Sequence, residues 1–222
     1  MNTVSNISIS TRKTTILTGL ILALLLPAGL ITFASLGWLN KITFEIGYWA
    51  IAFTLIAYAL LIEQKSFSSL GFRKLSFKGL LWGIGLGLLL LIVFPVASVL
   101  IKLVGLEVSQ ENAKALAGMP VYSLFLLALR AAVTEEILYR SYPIERLIAV
   151  TGSKAVAAAV PLLVFIVSHL SWGLGHLLFV TLAGGILTAF YLWKRNIWIN
   201  IIGHFFVDFV VFMLLPLFIA KS

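Results

Sequence analysis

Apolar positions in this chain gather into seven long runs, near 14–38, 44–63, 78–102, 121–149, 154–172, 174–193 and 197–219, parted by short polar connections. Each run has about the twenty residues that a helix needs to cross a ~30 Å hydrocarbon core. The first follows a polar head with Arg12 and Lys13; it is too long for a signal-peptide core and lacks a cleavage site, so it is expected to be a retained span. Between the third and fourth runs, Gly105 to Pro120 is mildly amphipathic and is expected along an outer interface. With no internal repeat or low-complexity tract, the pattern predicts an all-α fold: a polytopic membrane helix bundle of about seven transmembrane helices, forming a single domain over 1–222.

Composition sharpens this picture. Of the 222 residues, 61% are hydrophobic and 11% charged, with a mean hydropathy of +1.11. Soluble domains carry roughly 25% charged residues, and a chain with half that charge would expose large apolar areas to water. The net charge of +8 does not point to nucleic acid, because the basic residues are dispersed between apolar runs. Arg12/Lys13, Lys65/Arg73/Lys74/Lys78, Arg146/Lys154 and Lys194/Arg195 fall on every second connection. That alternation predicts a cytoplasmic amino terminus. The chain has no cysteine, which excludes disulfides, thiolate metal sites and a catalytic thiol.

The informative residues are ionisable ones inside the runs, since they are costly in lipid and usually functional. They are Arg130, the segment Glu135-Glu136-Ile137-Leu138-Tyr139-Arg140, His169, and His204 with Asp208. On an α-helix Glu136 and Arg140 are four apart and can pair. Glu135 points about 100° away, with no obvious partner on that helix. Arg130 could pair with either glutamate or extend toward the interface. His204 and Asp208 share a face, so the carboxylate can hold the imidazole. Counted from the expected cytoplasmic ends, Glu135 and His169 lie ~22 Å deep and His204 ~14 Å, a difference that helix tilt absorbs. The third histidine, His176, follows a helix-breaking Trp172-Gly173-Leu174-Gly175 and reads as interfacial.

In this order the residues resemble the CPBP family of intramembrane proteases, also called the Abi or CAAX-protease family. Its paired glutamates, three residues and arginine are matched by Glu135, Glu136 and Arg140; its phenylalanine, three residues and histidine by Phe165 and His169; its closing histidine, three residues and asparagine or aspartate by His204 and Asp208. Gly184/Gly185, the lead Asn196 to Gly203 and the Leu70-Gly71-Phe72-Arg73 loop also fit, and the resemblance spans about residues 66–212. It implies hydrolysis of a peptide bond within the membrane. Glu135 and His169 would activate a water, and His204 backed by Asp208 would stabilise the oxyanion or protonate the leaving amine. Glu136 and Arg140 would be structural.

Two histidines and a carboxylate are also a familiar zinc set, so Glu135, His169 and His204 are candidate ligands for a divalent metal. The family is described both as metallo-type and as metal-free, glutamate-type. Aspartate at 208 replaces the more familiar asparagine. An ionised carboxylate cannot donate to an oxyanion, so it suits orienting His204 or contacting a cation. The expected partner is a membrane-associated peptide or protein, lipidated or not, met in the bilayer of a bacterial cell. A non-catalytic immunity or regulatory scaffold of the same fold is the alternative. A proton-coupled transporter is disfavoured by the lack of inverted repeats.

Overall fold

A computed structural model describes residues 2–107 and 110–219. The polar connections set the helix starts. Asn40 and Ser76 accept the backbone N–H groups of Thr43 and Gly79 at 2.9 and 3.1 Å, capping two helices at their first turns. In chain order the helices are α1 Asn2–Ser35, α2 Lys41–Ala57 with a π-helical extension Tyr58–Ile62, α3 Phe77–Leu103, α4 Gln110–Ala117 and α5 Val121–Arg130. The chain then runs through π-helical turns at Ala131–Glu135 and Ile137–Ser141 into α6 Tyr142–Thr151, followed by α7 Lys154–Val167, α8 Leu174–Lys194 and α9 Ile197–Ile219. No strand occurs among the described residues, and the fold is an all-α bundle.

Among the described residues, four helical stretches are long and apolar enough to cross a membrane: Lys13–Ser35, Lys41–Ile62, Phe77–Leu103 and Leu174–Lys194. The other three predicted spans are also helical but differ in kind. Lys154–Val167 and Ile197–Met213 are shorter apolar helices, and 121–151 is broken by its π-helical turns. Leu25, Ile92 and Leu163 are each about three-fifths exposed on the outside, the surface of a protein whose solvent is lipid. Within the amphipathic stretch, Gln110–Ala117 forms α4, and Val108 and Ser109 lie outside the described residues.

The segment from Arg130 to Ile144 is the axis of the bundle. Nearly every residue in it is buried, whichever way it points. A helix buried all round needs neighbours on every side, and α1, α2, α7, α8 and α9 supply them. One end of this axis is fastened by an ion pair and two hydroxyl hydrogen bonds. Glu63 accepts Arg146 Nε at 2.7 Å and the Tyr142 hydroxyl at 2.5 Å, and the Ser141 hydroxyl donates to Leu70 O. Arg146, counted above with the connection-forming basic residues, is therefore buried and paired.

α9 is brought in by close packing on α3. A Cβ at Gly87 would sit 2.7 Å from the Phe206 ring, and one at Gly203 the same distance from Leu86. Small residues at such a crossing let two membrane helices approach backbone to backbone. The approach sets α9 against the axis, with His204 facing inward.

Candidate active site

Glu135 and Glu136 are both buried on the axis, at 8% and 0% exposure, but they face different neighbours. Glu136 has both carboxylate oxygens engaged. Its Oε1 accepts Arg140 Nη1 and His204 Nδ1, each at 2.9 Å, and its Oε2 accepts Asn200 Nδ2 at 3.1 Å. Arg140, fully buried, also donates to Gly184 O at 3.3 Å and lies 4.2 Å above the Phe165 ring. Asn200 donates further to Leu187 O at 2.8 Å. Charge-assisted bonds of this kind are strong, and together they tie the axis to α7, α8 and α9.

Glu135 has a different partner. Arg130 Nη1 donates to its Oε1 at 2.9 Å, while Arg130 Nε and Nη2 reach Glu45 of α2 at 2.7 and 3.4 Å. The guanidinium lies 4.5 Å above the Tyr48 ring. Glu135 therefore does have a partner on its own helix. In α geometry residues five apart diverge by about 140°, but a π-helical turn, closed by i→i+5 bonds, brings them together. The turn Ala131–Glu135 supplies that geometry. Oε2 of Glu135 accepts no hydrogen bond among the described residues.

His169 ends α7. Its Nδ1 meets Phe165 O at 2.8 Å; a carbonyl only accepts, so Nδ1 is the donor, and in the neutral imidazole Nε2 is then the acceptor. Phe165 thus serves two motif residues, its ring beneath Arg140 and its carbonyl on His169. The expected break follows: a 3-10 turn at Leu170–Trp172, then Gly173 at φ 89°, then α8. His176 stacks on Trp172 with ring centroids 5.0 Å apart and lies 5.8 Å from the His169 ring. His176 thus lies beside His169 at the helix break.

His204 lies between two carboxylates. Nδ1 bonds Glu136, and Nε2 faces Asp208 Oδ2 at 3.4 Å. Asp208 is the more open of the pair, its side chain 22% exposed against 9% for His204. A proton at Nε2 can pass toward the accessible side, whereas one at Nδ1 is held inside.

As a metal site the candidate set fits poorly. Both ring nitrogens of His204 are turned to carboxylates. Among the described residues no three His, Asp or Glu side chains gather as a metal would require. Glu45, Tyr48, Asn200 and His176 are the neighbours that sequence reasoning did not place in the site. Of these, Asn200 stood in the quoted lead to the last motif, and Glu45 was visible only as a carboxylate at a connection.

Residues 117–210 match the family model described as type II CAAX prenyl endopeptidase Rce1-like. The match takes in Arg130, both glutamates, Arg140, His169, His204 and Asp208, in agreement with the motif resemblance, and leaves α1 to α3 outside it. No curated protein and no solved structure matches the chain.

Proposed function

We propose that this integral membrane protein, similar over residues 117–210 to the type II CAAX prenyl endopeptidase Rce1-like family, is an intramembrane endopeptidase that hydrolyses a peptide bond with a water activated by Glu135 and His169. The observation that carries the reading is the unequal engagement of the two glutamates. Glu136 has both oxygens committed to Arg140, His204 and Asn200. Glu135 is held through one oxygen by Arg130 and keeps the other for a proton.

In this reading Glu135 Oε2 takes a proton from the water, and His169 Nε2 accepts its second hydrogen as a hydrogen bond. The hydroxide adds to the scissile carbonyl carbon. With Glu136 holding the ring through Nδ1, His204 turns its Nε2–H from Asp208 to the resulting oxyanion, and the C–N bond breaks as that proton passes to the leaving amine. Asp208 itself, if ionised, accepts only. Glu136 and Arg140 fix the axis that bears Glu135 and, through Nδ1, the ring of His204. Placing the amino terminus in the cytoplasm puts His169 and Glu45 toward the outer half of the bilayer. Substrates are membrane-tethered peptides, and the family match makes lipidated carboxy-terminal segments the first to try.

The test is cleavage of a panel of membrane-tethered and prenylated peptides by the purified, detergent-solubilised protein. Glu135→Gln and His204→Ala are expected to lose turnover while inserting into membranes at wild-type levels. A fully active Glu135→Gln would remove the assigned base. Binding of a membrane protein without cleavage of any peptide would favour the scaffold alternative.

A further inference from the structure

Arg130 could neutralise the carboxylate it holds. A guanidinium left alone with a carboxylate takes it bidentately, fork to fork, covering both oxygens. Here it does not, because a second carboxylate occupies the rest of the fork. Glu45 accepts from Arg130 Nε at 2.7 Å and from Nη2 at 3.4 Å, leaving Nη1 for Glu135 at 2.9 Å. The Tyr48 ring, one turn along α2, supports the guanidinium plane from below at 4.5 Å. Both side chains on α2 lie outside residues 117–210, the part of the chain that carries the catalytic motifs.

We infer that Glu45 is a positioning residue for the reaction: by holding Arg130 edge-on, the amino-terminal hairpin leaves Glu135 one free oxygen aimed at the water. The inference rests on the reading of Glu135 as the base. It assigns α2 a part in the active site beyond packing, since Glu45 is the residue that keeps Arg130 from closing over Glu135. Arg130 acts in the same chain, steadying Glu135 while engaged with Glu45.

The experiment compares Glu45→Gln, Glu45→Asp, Arg130→Gln and the double variant Glu45→Gln/Arg130→Gln in peptide cleavage and in thermal unfolding in detergent. Glu45→Gln is expected to lower kcat by about ten- to a hundredfold, the scale of a small misplacement at a reacting group. KM should stay within about twofold, because no substrate contact is removed. Glu45→Asp keeps the charge and should recover most of the loss. In the double variant the Glu45 change should add little to Arg130→Gln, in unfolding temperature as in rate, as expected for residues acting as one unit. Independent, additive shifts in unfolding temperature would overturn the bridge whatever the activity. A Glu45→Gln protein with wild-type kcat beside an inactive Glu135→Gln would overturn the role of Glu45 alone. Wild-type turnover in Glu135→Gln would instead remove the base assignment and this inference with it.

Discussion

Glu136 accepts hydrogen bonds from three side chains and Glu135 from one, so neutralising them should have different consequences. Glu136→Gln leaves the buried Arg140 guanidinium without its counter-charge. Breaking a buried pair in this way costs about 3–5 kcal/mol, so a markedly lower unfolding temperature and reduced activity are expected together. Glu135→Gln keeps the shape of the side chain and should unfold near wild type while losing turnover. Unfolding scans beside cleavage rates check both, and a Glu136→Gln protein as stable as wild type would contradict its structural role. The motif residues and their spacing were legible in the sequence, and so was the Glu136–Arg140 pair, because it obeys the α-helical interval of four. The Arg130–Glu135 pair was legible only as one alternative, because its interval of five is closed by a π-helical turn that nothing in the local sequence announces.

At the scale of elements, the site depends on how closely α9 approaches α3 and on where α7 stops. Gly87 lies where a Cβ would meet the Phe206 ring at 2.7 Å. Gly87→Val should push α9 outward. Overpacking of this kind costs about 1–3 kcal/mol, and it should lower kcat as His204 loses its register with Glu136. Thermal unfolding and kinetics of the variant are the check, with unchanged values in both arguing that α9 is placed by other contacts. Gly173, at φ 89°, holds a backbone conformation that only glycine adopts without strain. Gly173→Ala should displace His176 and the start of α8, and cleavage rate should fall more than stability. The helix-breaking Trp-Gly-Leu-Gly segment was readable from composition. What it places beside His169, the ring of His176, was not, because depth in the membrane says nothing about which helix faces which.

For the whole molecule, hydropathy alone gave the class of fold and the course of the chain through its helices. It was less informative about which charges face water. Arg146 looked like an orientation-setting residue and is buried against Glu63, and Glu45 looked like loop charge and holds Arg130. One partner lies on α2 and the other just past its extension, about eighty positions away in the chain, a separation at which sequence spacing has no bearing on contact. On the proposed reading the family-matched residues carry the reacting groups, while Glu45 and Glu63 brace them at two levels along the axis.

A glutamate-activated water in a bundle core is proposed to cut the peptide bond. The most direct test is cleavage of membrane-tethered peptides by purified wild type and Glu135→Gln, each with and without a metal chelator. Cleavage by wild type is expected to survive chelation and to vanish in Glu135→Gln. Loss on chelation restored by zinc, or undiminished cleavage by Glu135→Gln, would contradict the proposal.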